Sequence, residues 1–502
     1  MFTKVFCAYC IGIEAITITV EVNVSQGITF NLVGLPDSAV KESKQRIGTA
    51  LLSVSCKIPG KRIVINLAPA DIRKVGSSFD LAIAIGIIEA SGQHHFPSLE
   101  SYIFAGELSL DGNLRAISGA LSISEHAVRN GFKKVILPYE SAQEASLING
   151  VRVYGARNLE EVISILLNYP SAMPFNYPVE TELNLENDYE IDFSQIKGQA
   201  AAKRGVEIAA AGGHNLLLSG IPGIGKSMLA KAIPSILPKM SLEEAIETTK
   251  IYSIAGKVYN SRLMFERPFR NPHHSTTITS ISGGGVNSSP GEVSLAHNGV
   301  LYLDELPEFP RRVLEFLRQP LEDRVISVSR LKNKIKYPAN FMLVASMNPC
   351  PCGYFGDSTG RCSCTASSIV RYRSRVSGPV LDRIDLRIDV LPVSANLLIS
   401  NREEESSAII RERVALAREL QRDRFKGRVE TNSNMSLNDI KTYCSLNNVE
   451  QKLLSNAAEK LNLSARGFNK ILKVARTIAD LDAEEKILSS HLSEAINLRG
   501  VL

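Results

Sequence analysis

LLLSGIPGIGKSMLAKA, at residues 216–232, decides the fold of the central part of this chain. Within it, the run from Gly220 to Ser227 matches the phosphate-loop pattern G-x-x-x-x-G-K-[ST]. The apolar residues before the pattern predict a buried strand, and those after it predict a helix. In that context, backbone N–H groups of the turn and the helix amino terminus would surround phosphate oxygens. We therefore predict a nucleotide site; a chance glycine-rich turn is the alternative interpretation.

Two side chains at the end of this loop have separate predicted roles. Lys226 would reach the β- and γ-phosphates, and the Ser227 hydroxyl would coordinate Mg²⁺. The predicted nucleotide contacts are Gly220, Ile221, Pro222, Gly223, Ile224, Gly225, Lys226 and Ser227. ATP and Mg²⁺ are the expected cofactors.

Polar residues follow two further apolar segments. The segment GVLYL at 299–303 is followed by Asp304 and Glu305. Asp304 would hold Mg²⁺, and Glu305 would polarise the attacking water as a general base. The strand NFMLVASM at 340–347 ends at Asn348, which could orient that water. Acidic pairs at strand ends are also common on surfaces, and Asn348 would equally suit a turn before Pro349.

Composition is that of an ordinary soluble, multidomain protein. The chain has 502 residues, 44% hydrophobic and 22% charged, with a net charge of +5 that permits a nucleic-acid partner without requiring one. No uninterrupted apolar stretch is long enough to span a bilayer, and the amino-terminal run continues into a strand pattern instead of a signal peptide. We expect a cytoplasmic protein of bacterial type with reduced thiols and no membrane partner.

Patterning divides the chain into four regions. Residues 1–167 alternate β-branched strands with helical stretches, and 168–191 form a proline-containing, acidic linker. Residues 192–393 alternate buried strands and helices, which predicts a parallel sheet covered on both faces. Residues 394–502 lack strand signals and carry apolar residues at helical spacing. The predicted fold class is therefore multidomain α/β with a helical carboxyl-terminal domain.

The chain resembles the ComM/YifB family of magnesium-chelatase-like AAA+ ATPases. The resemblance is carried by DFSQIKGQ (192–199), RPFRNPHHS (267–275), PGEVSLAHNGVLYLDELPEF (290–309), MNPCPCGYFGD (347–357), SGPVLDRIDLRIDV (377–390) and SARGFNKILKVARTIADL (464–481). It implies an AAA+ core at 192–393, a helical lid at 394–502 and, for Asn348, a sensor role. A ring of identical subunits, a hexamer in related motors, is the implied working form.

Two arginines gain roles from this resemblance. It implies that Arg383 reaches the γ-phosphate bound by a neighbouring subunit and that Arg466 is a second sensor on the lid. A guanidinium suits such contacts, since it offers several donors to phosphate oxygens. The alternative for Arg383 is a surface ion pair with Asp382 or Asp385. The rival candidates for the trans-acting finger are Arg371, Arg373 and Arg375.

Residues 1–167 resemble the Lon-type protease domain that this family carries. The segment PADIRKVGSSFDLAIAIG at 69–86 places Ser78 at the nucleophile position of Lon proteases. The position of their catalytic lysine falls on about Leu121. Without a lysine to accept its proton, Ser78 would be a turn or helix-cap hydroxyl. We therefore expect no peptidase activity.

Four of the eight cysteines lie close together in sequence. They form a C-x-C pair, nine intervening residues and a second C-x-C pair, at Cys350, Cys352, Cys362 and Cys364. Four thiolates on one short loop suit tetrahedral, structural Zn²⁺, and a reducing compartment disfavours disulfides. The spacing is tighter than the usual C-x₂-C, so a packed or redox-labile thiol cluster stays open as the alternative.

A basic β-hairpin is predicted between the carboxylate and asparagine strands. Residues 325–336, VISVSRLKNKIK, alternate and then gather cations at Arg330, Lys332, Lys334 and Lys336. In this branch of AAA+ rings such a hairpin points to the central pore, where lysines could hold DNA phosphates. A charged edge that prevents strand aggregation is nearly as good an interpretation.

Three functions fit these features. The first is a ring-forming DNA translocase; resemblance to ComM implies branch migration of recombination intermediates during natural transformation, with single-stranded or branched DNA and recombination proteins as partners. The second is a chelatase-type ATPase that remodels a partner for magnesium insertion into a porphyrin. The third, a protein-remodelling or protease motor, is disfavoured by Leu121. The basic hairpin, the cysteines and the amino-terminal domain favour the first.

Overall fold

The computed structural model of the chain describes residues 1–168, 173–175, 189–257, 262–285, 288–330, 333–357, 360–394, 396–397, 404–427, 431–461 and 463–499. The chain forms two compact units. One consists of Met1–Leu185 and Ala245–Met264, and the other of Glu186–Glu244 and Phe265–Leu502. In the part of the chain so described, no helix combines the length and the apolar character needed to cross a bilayer.

The first unit contains a mixed seven-stranded sheet in the order β3-β4-β2-β1-β5-β8-β9. Its strands and two short additional ones are β1 (Phe2–Ile11), β2 (Glu14–Ser25), β3 (Phe30–Val33), β4 (Arg62–Ala68), β5 (Tyr102–Phe104), β6 (Glu107–Leu108), β7 (Leu114–Arg115), β8 (Lys134–Pro138) and β9 (Arg152–Ala156). Its helices are α1 (Ser38–Ser53), α2 (Asp80–Ser91), α3 (Ala120–Arg129), α4 (Tyr139–Ala145) and α5 (Leu159–Leu166). The amino-terminal run is thus a strand, as the sequence pattern predicts.

Alternation in β1 and β2 builds the core of this unit. The two strands pair antiparallel, with Val5 opposite Val20, and both of these side chains are fully buried. Helix α2 is apolar all round and packs against both strands. A Cβ on Gly86 would come within 2.7 Å of the Val22 side chain, so glycine allows this close approach.

A segment remote in sequence completes the first unit. Helix α8 (Leu242–Ile254) lies mostly in Ala245–Met264, which the sequence pattern placed inside the 192–393 region. The ammonium of Lys250, a residue 4% exposed, pairs with Glu125 (2.6 Å) and Glu14 (3.5 Å). The Ser253 hydroxyl accepts the backbone N–H of Gly119 (3.0 Å). These buried polar contacts explain why the segment belongs to this unit.

The second unit is built on a parallel five-stranded sheet in the order β11-β14-β17-β10-β18. Its strands, including two separate hairpins, are β10 (Leu216–Ser219), β11 (Phe269–Arg270), β12 (Gly283–Gly284), β13 (Ser289–Pro290), β14 (Val300–Leu303), β15 (Val325–Arg330), β16 (Asn333–Pro338), β17 (Met342–Met347) and β18 (Leu386–Asp389). Buried apolar strands and intervening helices confirm the predicted parallel α/β sheet.

Helices surround this sheet and dominate the carboxyl-terminal part of the unit. Those that come before the last strand, β18, in sequence are α6 (Ala200–Gly212), α7 (Lys226–Ile236), α9 (Ile278–Ser282), α10 (Glu292–Leu295), α11 (Arg311–Phe316), α12 (Arg318–Asp323), α13 (Ala366–Arg373) and α14 (Gly378–Leu381). Those that follow it are α15 (Ser407–Phe425), α16 (Leu437–Tyr443), α17 (Asn448–Lys460), α18 (Ala465–Leu481) and α19 (Ser489–Asn497). The predicted fold class is confirmed.

Buried polar contacts join the carboxyl-terminal helices to the sheet. Asp385, just before β18, pairs with Lys470 of α18 (2.8 Å) and accepts the Asn215 backbone N–H (2.8 Å). Although burial opposes ionisation, Lys470 and His214 hold the pKa of Asp385 below its ordinary value. His214 also contacts the Thr477 hydroxyl (2.8 Å). The lid helices and the sheet therefore share one core.

Candidate active site

The carboxyl ends of three neighbouring strands bring the predicted nucleotide residues together. Strand β17 lies between β10 and β14, and all three are parallel. The phosphate loop leaves β10, while Asp304 follows β14 and Asn348 follows β17. A crevice at the carboxyl edge of an open parallel sheet is where such folds bind ligands.

The phosphate loop has the backbone that its glycines allow. Gly223 and Gly225 adopt φ angles of +79° and +94°, which residues with a Cβ rarely tolerate. Helix α7 begins at Lys226, directly after the turn. The positive end of the helix dipole and its unpaired N–H groups therefore face the loop.

Lys226 is held by acceptors at the loop. Its ammonium donates to the carbonyl oxygens of Gly220 (2.6 Å) and Ile221 (2.9 Å) and to Oδ1 of Asn348 (3.0 Å). Burial lowers the pKa of Lys226, while the charges of Asp304 and Glu305 act in the opposite direction. The residues predicted for the β/γ-phosphate contact and for the sensor are thus in direct contact.

The predicted magnesium residues are also joined. The Ser227 hydroxyl donates to Oδ2 of Asp304 (3.1 Å). Tyr302 donates to the Ser227 hydroxyl (3.2 Å), and burial raises the pKa of Tyr302 to about 12, so it stays protonated. Ser346 contacts the other oxygen of Asp304. A hydroxyl and a carboxylate at this spacing, next to a phosphate loop, are the oxygen ligands that Mg²⁺ prefers.

Sequence reasoning missed Tyr302 and Ser346. Each lies two residues before a predicted site residue, Asp304 and Asn348 respectively, on a strand that is otherwise apolar. Side chains two apart on a strand share a face, so a polar residue at that spacing was the available signal.

Glu305 has a strained backbone and a half-exposed side chain. Its φ is +55°, in the left-handed region, and its N–H donates to Asp304 (3.1 Å) and Ser346 (3.2 Å). Its carboxylate is 52% exposed, 3.9 Å from the His274 ring. The Glu305 carboxylate is therefore accessible to water at the edge of the same cavity as Asp304.

A cavity of about 390 Å³ lies at these residues. Those lining it are Pro222, Gly223, Gly225, Lys226, Ser227, Met228, Asp304, Glu305, Ser346, Met347 and Asn348. Its lining combines loop backbone, one ammonium, two carboxylates and one amide. That set can bind a triphosphate with Mg²⁺ and activate a water molecule against it.

The two predicted arginines meet at one carboxylate and are not among the described residues that line the cavity. Arg383 is 9% exposed and pairs with Glu322 (2.7 Å), not with Asp382 or Asp385, the partners of the alternative interpretation. Arg466 lies 3.5 Å from the same oxygen of Glu322. Both arginines belong to the second unit, as does the cavity.

The rival arginines have separate surroundings. Arg371 is exposed on α13. Arg373 donates to the Pro349 carbonyl (3.2 Å), next to Asn348. Arg375 is exposed and pairs with Glu308 (2.7 Å).

The four clustered cysteines are brought together. Their sulfurs all lie within 4.8 Å of one another, at Cys350, Cys352, Cys362 and Cys364. The closest pairs are separated by 3.3, 3.7 and 3.8 Å. Tetrahedral zinc with Zn–S bonds of about 2.3 Å places its sulfurs about 3.8 Å apart, so the cluster fits this metal.

The cysteine loop packs on the phosphate loop. Gly353 has φ +88°, and a Cβ there would lie 2.7 Å from the Pro222 ring. Cys350 follows Asn348 by only two residues. The cluster therefore supports both the loop and the predicted sensor from one side.

The basic hairpin forms as predicted. β15 and β16 pair antiparallel, and Ser327 lies opposite Lys336. Ile326, Val328 and Tyr337, on the other face of the hairpin, are buried, whereas Lys336 is exposed. Lys332 and the side chains of Arg330 and Lys334 lie outside what the structure describes.

In the first unit, the protease-like positions are occupied as the sequence suggests. Ser78 lies in the turn before α2, whose amino-terminal cap is Phe79, so the predicted turn position is confirmed and the cap position is not Ser78. Leu121 is fully buried on α3, and its backbone N–H donates to Glu144 (3.1 Å). An apolar side chain therefore stands at the lysine position.

Comparison with known proteins agrees with this architecture. Three family models match: "Magnesium chelatase, subunit ChlI" at residues 192–398, "Subunit ChlI of Mg-chelatase" at 20–141 and "Magnesium chelatase, subunit ChlI C-terminal" at 404–499. The competence protein ComM of Haemophilus influenzae is 43% identical, covering 99% of this chain and 97% of its own. YifB of Escherichia coli is 42% identical, covering 98% and 96%.

A further relative matches a much shorter part of this chain. Lon protease 2 of Bacillus subtilis is 34% identical over 149 residues, 29% of this chain and 26% of its own. The matches to ComM and YifB, by contrast, extend over nearly the whole of this chain and of each relative. Together they show that the chain belongs to the ComM/YifB family of magnesium-chelatase-like AAA+ ATPases.

Proposed function

We propose that this protein is a ring-forming motor that couples ATP hydrolysis to movement along DNA, and that it promotes branch migration during recombination. AAA+ ATPases of this family use ATP with Mg²⁺ and work as oligomers. The observation that carries the DNA assignment is the hairpin of β15 and β16, whose exposed Lys336 lies on the face opposite its buried side chains. The name of the Haemophilus relative, a competence protein, supports a role in the uptake of foreign DNA.

Within the ATPase site, each residue has a proposed role. Lys226 releases its carbonyl acceptors to bind the β- and γ-phosphates, and Ser227 and Asp304 hold Mg²⁺. Glu305 accepts a proton from the attacking water, and Asn348 positions that water against the γ-phosphate. The Lys226 ammonium and the backbone N–H groups of the preformed loop supply electrostatic stabilisation of the negative charge on the transferred phosphoryl group, and Mg²⁺ held by the oxygen ligands would add to it.

The trans-acting finger is proposed to be Arg383, with Arg466 beside it. Their shared contact with Glu322 places the two guanidiniums together, which supports a common phosphate target. Neither is among the described residues that line the cavity of its own chain. A target on a neighbouring copy is consistent with this placement and would couple hydrolysis to ring assembly.

Zn²⁺ is proposed to be held by the four clustered cysteines. The chemistry that it supplies when bound is structural, because four sulfur ligands leave no open position. The backbone of Tyr354 and then the Cys350 thiol lower the pKa of Cys352 to about 6, which favours a thiolate there. Although backbone contacts oppose it, burial and the neighbouring thiols raise the pKa values of Cys362 and Cys364, so these two would lose their protons to the metal. The tight packing of Gly353 on Pro222 makes the loop a brace for the nucleotide site.

A chelatase-type activity is the second candidate function. The family models named for a chelatase subunit favour it, since they match both the core and the carboxyl-terminal helices. Stimulation of ATP hydrolysis by DNA, and not by a partner enzyme, would separate the two.

Replacing the proposed general base should separate binding from hydrolysis. We expect Glu305→Gln to lower kcat for ATP hydrolysis by about 10²- to 10⁴-fold, the usual contribution of a general base, and to leave ATP binding intact. Steady-state hydrolysis and titration with a fluorescent ATP analogue measure the two. Glu419→Gln, at an exposed position on α15, is the matched control. Equal losses of binding and hydrolysis would contradict the assignment.

Mixing two inactive variants tests action in trans. Lys226→Ala lacks a working phosphate loop but keeps Arg383, and Arg383→Ala has the reverse defect. If Arg383 serves a neighbouring copy, a mixture should regain part of the ATPase rate that each variant lacks alone, because some interfaces combine both intact parts. No recovery in mixtures that form rings would refute the role. Arg371→Ala and Arg375→Ala test the rival fingers.

Metal analysis of the purified chain tests the cysteine site. We expect about one Zn²⁺ per chain, since four thiolates complete a tetrahedral shell. Cys362→Ser should lose the metal and lower the melting temperature, whereas Cys10→Ser, outside the cluster, should keep the metal. Full zinc content in Cys362→Ser would show that the metal is bound elsewhere.

Charge reversal on the hairpin tests the DNA assignment. Lys336→Glu should weaken binding of single-stranded DNA without sequence preference and reduce the dependence of affinity on salt by about one ion, as expected for a lost phosphate contact. Lys460→Glu, on α17, is the control. We expect the wild-type protein to promote branch migration and Lys226→Ala to lack this activity. If DNA stimulates no ATP hydrolysis even at low salt, the motor is not a DNA translocase.

A further inference from the structure

Glu322, on α12, contacts both proposed phosphate-binding arginines. Its Oε1 lies 2.7 Å from Nη2 of Arg383 and 3.5 Å from Nη2 of Arg466. Arg383 precedes β18 and Arg466 lies in the first turn of α18, so one carboxylate joins two separate parts of the chain. We call these three side chains the Glu322 latch.

Arg383 is otherwise satisfied by its own chain. Its Nε donates to the Arg318 carbonyl (3.1 Å) and its Nη1 to the Pro379 carbonyl (2.7 Å). With 9% exposure, it has little contact with solvent. These acceptors hold two of the three guanidinium nitrogens, Nε and Nη1, and the third, Nη2, contacts Glu322.

The carboxylate side of the latch is open. The side chains of Glu322 and Arg466 are 47% and 65% exposed. A carboxylate presents anionic oxygens to a guanidinium in the same way as a phosphate does. Because the Glu322 end of these contacts is open to solvent, a more highly charged phosphate could replace Glu322 at both arginines.

We propose that Glu322 is a positioning residue that occupies Arg383 and Arg466 as a substitute phosphate until the nucleotide of a neighbouring copy displaces it. This inference rests on the proposed function, since it requires Arg383 to act on a phosphate. The latch keeps the two guanidiniums side by side and restrains hydrolysis before the ring interface is formed.

The position of Glu322 connects the latch with the basic hairpin. Helix α12 ends at Asp323, and β15 begins at Val325. Arg324, between them, fixes this junction by donating to the Phe341 carbonyl (2.8 Å) and to Asn434 (2.9 Å). Only Asp323 and this anchored Arg324 therefore separate Glu322 from the hairpin.

Glu322→Gln tests the latch without DNA. The amide keeps the shape but removes the charge, so the arginines are released. We expect the ATPase rate at subsaturating ATP to rise about two- to fivefold, the range that loss of a partly exposed ion pair allows. Glu322→Asp, one methylene shorter, should raise it less. The matched control is Glu315→Gln, which weakens a 2.7 Å pair with Arg318 and a 2.7 Å hydrogen bond from the Ser377 hydroxyl and leaves Glu322 in place.

Two controls make the outcome decisive. The gain should disappear in the Arg383→Ala background, and circular dichroism should show native helix content in each variant. An unchanged or lower rate in Glu322→Gln, or a gain that persists without Arg383, would overturn the latch. If Arg383→Ala alone retained full activity, the finger role itself would fail. An inactive Arg383→Ala with an unchanged Glu322→Gln would refute the latch alone.

Discussion

Parallel strands deliver their carboxyl ends to one edge of a sheet, and the candidate site depends on this constraint. With β17 between β10 and β14, the phosphate loop, Asp304 and Asn348 must emerge side by side. The contacts of Lys226 with Asn348 and of Ser227 with Asp304 follow from that order. Residues 122 and 77 positions apart in sequence are therefore neighbours, because the order of the strands brings them together.

Much of this arrangement could be predicted, because its signals are local. A glycine-rich turn between a strand and a helix, and a carboxylate pair after an apolar strand, each carry their own chemistry. The basic hairpin could also be predicted, because apolar and polar residues alternate along 325–330. What could not be predicted depends on distant contacts: Glu322 has no pattern of its own, and only the fold brings Arg383 and Arg466 to it. The place of Ala245–Met264 in the first unit could not be predicted either, since a helical pattern does not show which part of the chain the helix packs against.

Support for the nucleotide site comes from two directions. Behind the predicted magnesium ligands, Tyr302 contacts the hydroxyl of Ser227 and Ser346 contacts the carboxylate of Asp304. On the other side, the cysteine loop reaches Pro222 through Gly353, where any larger residue would collide with the ring. Side chains that are locked by neighbours hold catalytic groups in position better than mobile loops do. The surroundings of the cavity thus explain its geometry as much as the motif residues themselves.

The contribution of Ala245–Met264 to the first unit has a consequence for synthesis of the chain. Buried Lys250 needs Glu125 and Glu14, and these carboxylates leave the ribosome long before their partner does. Domains usually fold in order as they emerge. Here the amino-terminal unit is topologically discontinuous, so its last element arrives only after the phosphate loop has been made. A cut at the acidic linker would therefore separate the first unit from the segment Ala245–Met264 that completes it.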